Sequence, residues 1–249
     1  TGIPTKTGFT FKGWATSSTG AVAYYPGGSY TANPSTASVT LYAVWERDSY
    51  SVTYNANGGT GAPSNQTKYY AIDLQLSNTV PSLNNYTFKG WATSTSRASS
   101  GTVDYIKGAT YTGNTALSLY AVWELTHTSP VISQPLSIAR CRSNGQVYDE
   151  GQYAKITFDW SIFVSSLPRY YGGTGAPYSD NHVATCTVTV GSTSKSVTLS
   201  GTSSGNTPVS VTVGTNDDFL TDSQYPVTVS ITDAPDTSYS GVAALTTTV

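Results

Sequence analysis

Two histidines, two cysteines and a few loops carry whatever chemistry this chain of 249 residues could perform. His127 and His182 lie in loop-like stretches and read as solvated loop residues, so a Ser–His–Asp hydrolase is set aside. Zinc wants three or four converging ligands, and no H-x-x-H or C-x-x-C spacing occurs. Cys141 and Cys186 are too few for a disulfide scaffold or a metal cluster. They read as two buried thiols behaving as small hydrophobes, with a single inter-strand bridge left open. GGTGAP occurs at 58–63 and 172–177, but without the Gly-Lys-Ser/Thr that a phosphate-binding loop requires. Both copies read as turns.

The acidic loops NDDFLTD (216–222) and DAPD (233–236) could together hold Ca²⁺, which takes carboxylate oxygens. Asp in turns has a simpler use, bending and capping the backbone. Asp217 with Asp222 as a glycosidase acid–base pair would need a cleft and a raised pKa, which nothing in the sequence suggests. No catalytic residue, metal site or cofactor is therefore expected. The long loop SSLPRYYGGTGAPYSDNH (165–182) is different, because it mixes Tyr170, Tyr171 and Tyr178 with Gly and Ser. Recognition loops favour that composition, since Tyr offers rigid amphipathic area at low entropic cost. These three tyrosines are the candidate binding residues, for a sugar face or a partner protein. The competing reading has them folding back over a sheet edge.

The elements that would position these loops are strands. Charged residues make up only 10% of the chain, against roughly 25% in ordinary soluble proteins. Ser, Thr, Tyr and Gly take their place and Met is absent, a composition suited to pleated, half-buried surfaces. The fold class expected is all-β with very little helix. A net charge of −2 gives no footprint for nucleic acid. No apolar run approaches the ~20 residues of a membrane-spanning helix. The abrupt opening at Thr1, without initiator Met or signal peptide, suggests a piece of something longer.

Internal repetition organises the first half. FTFKGWATS begins at Phe9 and YTFKGWATS at Tyr86, with eight of nine residues identical. LYAVWE then recurs at 41–46 and 119–124, so Trp14/Trp91 and Trp45/Trp123 stand 77 and 78 residues apart. A fixed period means tandem modules. The second copy has a leading portion, YSVTYNANGGTGAPSNQTKYYAIDLQL (50–76), that the first lacks. The first module thus misses about its first third, which either precedes Thr1 in the parent polypeptide or comes from another chain. SVTYNANGG predicts a strand ending in a Gly-Gly turn. KYYAIDLQL predicts another strand, with Tyr70, Ile72, Leu74 and Leu76 on one face. Leu119, Ala121 and Trp123 share one face of LYAVW, and Tyr120 and Val122 the other. Strict alternation puts Trp91 opposite Tyr86 and Phe88, so a bulge at Gly90 is expected to bring it back beside Phe88. Phe11, Trp14, Trp45, Phe88, Trp91 and Trp123 are the expected module core.

VTYNANGGTGAP, YTFKGWATS and LYAVWE resemble the internalin-type B-repeat, also called the Listeria–Bacteroides repeat. The resemblance covers 1–124, at full length only 49–124, and implies a β-grasp-like fold used in spacers or adhesive stalks of surface proteins. It brings no catalytic residues.

LTHTSP follows Glu124 as a linker, and a run of short alternating segments comes next. Ala154, Ile156, Phe158, Trp160 and Ile162 share a face, as do Ala184, Cys186, Val188 and Val190. Six or seven such strands predict an immunoglobulin-like antiparallel β-sandwich with Trp160 in its core. PLSIARCRSNGQVYDEGQYAKITFDWS (135–161) resembles a domain of unknown function in structural proteins of siphoviruses infecting Gram-positive bacteria. That implies a virion or prophage tail component.

The reading is thus an incomplete B-repeat (1–48), a complete one (49–124) and an Ig-like domain (125–249). Together they are expected to form a non-enzymatic stalk or adhesion segment of a phage tail or fibre protein, in the virion or extracellular. A Gram-positive cell-surface adhesin is the alternative, and an enzyme's accessory domain a third. Expected partners are a host cell-wall glycan or surface protein, other virion proteins, or copies of itself, with neither nucleic acid nor membrane insertion.

Overall fold

The computed structural model describes residues 2–31, 38–133, 135–162, 167–174, 183–200, 207–215, 223–234 and 244–249. The chain is all-β and falls into two compact units, Thr1–Glu124 and Leu125–Val249.

In the first unit the incomplete repeat contributes an antiparallel pair, β1 (Phe9–Ala15) and β2 (Tyr42–Arg47). The complete repeat supplies β3 (Ser49–Asn55), β4 (Gln66–Tyr69), β5 (Leu74–Gln75), β6 (Tyr86–Ala92), α1 (Thr95–Ser99), β7 (Thr110–Tyr111) and β8 (Leu117–Leu125). Its main sheet runs β4-β3-β8-β6, with β5-β7 as a second small sheet. β3 and β8 are parallel neighbours, from Val52 opposite Leu117 to Asn55 opposite Tyr120. Parallel pairing requires a long crossover, and here the crossover is the rest of the module. The apolar residues of β3, β6 and β8 meet on one side of the sheet: Val52, Tyr54, Trp91, Leu119, Ala121 and Trp123 are buried with Leu76 and Tyr111. Val122, with Tyr120, faces the other way into a small cluster with Ala92 and Ala98.

The predicted bulge is present, and geometry says why the motif contains Gly. In β1 the ladder slips between Phe11 and Gly13, and Gly13 and Gly90 adopt φ of +148° and +150°. A Cβ on Gly90 would lie 2.5 Å from Val103 Cγ1 and 2.8 Å from the Tyr105 carbonyl oxygen. On Gly13 the equivalent distances, to Val22 and Tyr24, are 2.5 and 2.7 Å. The phase shift brings the Trp91 ring edge-on to Phe88 at 5.0 Å and to Tyr54 at 5.0 Å, and Phe88 meets Trp123 at 5.6 Å. Such edge-to-face pairs add to burial.

KYYAIDLQL is not one strand. β4 ends at Tyr69 and the chain turns, with Ala71 at φ +54°, so Ile72 is exposed rather than facing inward with Leu76. The Tyr70–Asp48 bond is the last in the β3–β4 register, and beyond it side chains take the backbone groups. The Tyr70 N–H donates to Asp48 O (2.9 Å), Arg47 Nη1 donates to Tyr70 O (2.7 Å), and the Ala71 N–H donates to Asn114 Oδ1 (2.8 Å). The first two of these bonds also join the repeats. Thr10 Oγ1 donates to Asp48 Oδ1 (2.8 Å), the Asp48 N–H to Gly8 O (3.0 Å), and Phe9 packs on the Tyr70 ring. Gly8 has φ +74°, and a Cβ there would lie 2.0 Å from Tyr70 Cδ1.

The second unit is a sandwich of β9 (Val131–Ile132), β10 (Ser137–Cys141), β11 (Tyr153–Ser161), β12 (Val183–Val190), β13 (Thr193–Ser200), β14 (Thr207–Val213), β15 (Val227–Asp233) and β16 (Thr246–Thr248). One sheet runs β10-β11-β14 with β9 beside β11, the other β13-β12-β15-β16. Inward residues of both sheets form one core containing Ile156, Phe158, Trp160, Cys186, Val188, Val211, Val229 and Ile231. Cys141 and Cys186 are both buried and free. Sheet-on-sheet packing of alternating residues makes this unit a β-sandwich.

Two outcomes follow. Gly90→Ala must collide with Val103 and strain the backbone, and should cost the first unit about 2–4 kcal/mol in urea unfolding. The second concerns Asp104, which fastens α1 to β6. It accepts from Thr93 N–H and Oγ1 (2.8 Å each) and from Arg97 Nε (2.8 Å) and Nη2. Chiefly the Arg97 bond, against the opposing effect of burial, holds the Asp104 carboxyl at about 2, below its ordinary value of 3.8. A depressed carboxylate stabilises above its unfolded pKa and loses that contribution as pH falls through its folded one. The stability gap between wild type and Asp104→Asn should be full above pH about 4 and close between about 4 and 2. Urea melts at stepped pH check it.

Candidate functional site

The residues singled out for chemistry scatter rather than converge. The Cys186 thiol is pushed up to about 11 by burial, and Cys141 is likewise raised by burial, so neither is poised as a nucleophile. His127 is not a solvated loop residue. Its Nε2 stands 2.8 Å from Asp233 Oδ2, with the Asp233 side chain fully buried, while Asp233 Oδ1 accepts from the Leu245 N–H (2.7 Å). The linker residue fastens the start of the sandwich to β15, and the need to pair a buried carboxylate explains it. That use also removes Asp233 from any calcium loop. Among the described residues no group of three or more His, Cys, Asp or Glu could hold a metal ion. Asp217, Asp222 and Asp236 lie outside the described residues, as do Tyr178 and His182. A G-x-S-x-G spacing occurs at 201–205, also outside them.

Of the candidate tyrosines, Tyr170 is half-buried and Tyr171 exposed. The Arg169 guanidinium lies 5.1 Å from the Tyr170 ring centre, the Tyr170 carbonyl accepts from the Gly173 N–H (3.0 Å), and the Leu125 N–H donates to Arg169 O (2.7 Å). A tight turn therefore presents Tyr171 and holds Tyr170 against its own neighbour.

The more developed surface lies in the first repeat. Trp14 and Trp45, expected as core, are only half-buried, whereas Trp91 and Trp123 are 0% and 1% exposed; Phe11 and Phe88, also expected as core, are both half-buried. The internal packing is the same: Phe11 meets Trp14 at 5.1 Å and Trp45 at 5.4 Å, both edge-on. What differs is the cover. β1 and β2 form a two-stranded sheet, and a cavity of about 570 Å³ opens beside it, lined by residues 3–7, 9–11 and Trp45. Lys6 stands at its rim, its ammonium 4.1 Å from the Phe9 ring centre. The sequence reading recognised that the repeat was short but did not identify residues 3–7 as one wall of an open site. It also missed Lys68, whose side chain is wholly buried and donates to Tyr69 O (2.7 Å) and Asn114 Oδ1 (3.2 Å). Alternation within KYY gave no signal for a buried ammonium.

A protein of Evansella cellulosilytica, named as a Gly-rich membrane protein, is 39% identical over 87 residues. The aligned part is 34% of this chain and 10% of that protein, so the chain spans only a small fraction of the relative's length. No solved structure matches the chain. No helix among the described residues is long and apolar enough to cross a membrane. The family model of the Listeria-Bacteroides repeat domain matches residues 1–44 and 50–122, so the two FKGW modules of the first unit are each similar to that repeat.

Proposed function

We propose that this chain is a non-enzymatic structural segment of a surface-exposed protein, its repeats serving as a stalk and its sandwich as a continuation that contacts a partner. The observation that carries the reading is the pairing of the module's first and last strands. A stalk is loaded through its ends, here the start of β3 and the end of β8. Those strands lie side by side and parallel, so tension slides one along the other and loads every ladder bond together. The bonds among Gly8, Arg47, Asp48 and Tyr70 couple one repeat to the next. The raised thiols and the His127–Asp233 pair support a structural rather than a catalytic use of the reactive side chains.

In its finer form the reading assigns the chain to a phage or prophage tail or fibre of a Gram-positive host, on the resemblance carried by residues 135–161. A cell-surface adhesin or spacer is the second reading. The Listeria-Bacteroides repeat and the relative named as a membrane protein favour it. Under both, the partner is a wall glycan or surface protein met by the turn at Tyr170 and Tyr171.

Pulling single molecules of 1–249 by their ends should give one high-force event lengthening the chain by roughly 25 nm, the extended span of residues 49–124. Val52→Pro removes a ladder donor and should lower that force, and a low force in wild type would count against the stalk. For the contact, labelled 1–249 should bind Gram-positive cells or their purified wall glycans saturably. The Tyr170→Ala/Tyr171→Ala/Tyr178→Ala variant should bind at least tenfold more weakly. Equal binding by that variant would remove the loop from the account.

A further inference from the structure

Lys68 puts a primary amine on the core side of the complete repeat. It opposes Tyr50 on the face of β3 that carries Val52 and Tyr54, and its side chain is wholly buried. An ammonium withdrawn from water is costly unless a carboxylate pairs with it. Among the described residues no carboxylate forms an ion pair with Lys68. Its partners are two neutral oxygens, Tyr69 O at 2.7 Å and Asn114 Oδ1 at 3.2 Å.

Asn114 lies between β7 and β8 and is exposed, yet its carboxamide is held in place. The Ala71 N–H donates to the same Oδ1 at 2.8 Å. The buried Tyr111 hydroxyl donates to Thr115 O (3.0 Å) and fixes the segment around it. Gly113 permits that closeness, since a Cβ there would stand 2.5 Å from Tyr111 Oη. The folded chain thus sets an amine against a carboxamide whose oxygen already accepts from a backbone N–H. A desolvated lysine is a nucleophile, and a fixed neighbour replaces a bimolecular encounter. An N–H aimed at the carbonyl oxygen stabilises the negative charge that gathers there during attack.

We propose that Lys68 and Asn114 join as an intramolecular amide. Starting from the ammonium, Nζ releases two protons and its lone pair forms a bond to Asn114 Cγ. The Cγ–Nδ2 bond breaks, and Nδ2 leaves with both protons as an ammonium ion. Nothing is oxidised or reduced, and no co-reactant is consumed. The exposed side of Asn114 gives the ion a path to water. The product replaces a buried charge with a neutral amide N–H. The two residues are 46 apart in sequence, so only the folded module brings them together, and the bond closes after folding. It ties β4 to the segment leading into β8. The proposal goes beyond the stalk reading and stands on the contacts of Lys68 and Asn114 alone, although a force-bearing module would gain a covalent brace from it.

The test is the intact mass of 1–249, freshly refolded and after prolonged incubation at physiological temperature. The expected result is loss of one ammonia from the sequence mass. Tryptic digestion should then give 48–89, uncut at Lys68, joined to 108–140. Lys68→Met fills the space without an amine and should keep the full sequence mass, its folding checked by the Trp123 indole resonance. If that variant does not fold, the joined fragment in the wild type decides. Three results would overturn the proposal: full sequence mass in the incubated wild type, ammonia loss without the joined fragment, or the same loss in folded Lys68→Met. The lengthening of roughly 25 nm expected on pulling is that of the open chain, and closure leaves only 49–68 and 114–124 to extend, roughly 10 nm. Mass therefore tests the bond, and unfolding force tests the stalk.

Discussion

In each repeat one tryptophan backbone is clamped by a chain that crosses it. The Trp91 N–H donates to Tyr105 O (2.8 Å), and Trp91 O accepts from Asp104 N–H (2.8 Å) and Tyr105 N–H (3.0 Å). Trp14 makes the same three bonds to Tyr24 and Ala23, at 2.8, 2.8 and 3.0 Å. The crossing chain can come this close only because the preceding residue lacks a Cβ. The bulge so formed turns the indole inward, beside the phenylalanine two residues before the glycine. For a unit of ~75 residues, burial of one large aromatic is a considerable share of net stability, so the glycine and the tryptophan act as a pair.

Because that clamp is local to β1 or β6 and its crossing chain, it forms with or without β3 to β5. This accounts for a first repeat that keeps the aromatic geometry of the second while leaving its rings half-covered. The clamp sets the position of the tryptophan, and the leading strands seal it. Sealing matters energetically, since apolar area removed from water contributes about 25 cal/mol per Å². The joint between repeats is built from the same economy. Gly8 lets Tyr70 approach, and Asp48 serves both sides of the connection with backbone and side-chain atoms.

Much of this was legible in the sequence because it depends on alternation and on glycine. The bulge at Gly90, the two faces of LYAVW, and the inward sets of β11 and β12 all follow from period-two patterning. Where the reading failed, long-range hydrogen bonds had overridden local pattern. The chain leaves the strand after Tyr70 because the Arg47 and Asn114 side chains claim the Tyr70 carbonyl and the Ala71 N–H. His127 leaves solvent because a buried carboxylate over a hundred residues away needs a partner. Neither pairing leaves a trace in residue spacing. The tyrosine loop was legible as a composition, but sequence did not reveal that Tyr170 lies against Arg169 while Tyr171 is presented.

The central claim is that the leading strand–turn segment, and not the FKGW clamp, seals a repeat. Exchange of the tryptophan indole protons with solvent, followed by NMR on 1–249, tests it most directly. The Trp123 indole N–H, bonded to Ala56 O and Asn57 O, should exchange at least a hundredfold more slowly than that of Trp45. Equal protection at the two would mean that the first repeat is already closed, contradicting the account.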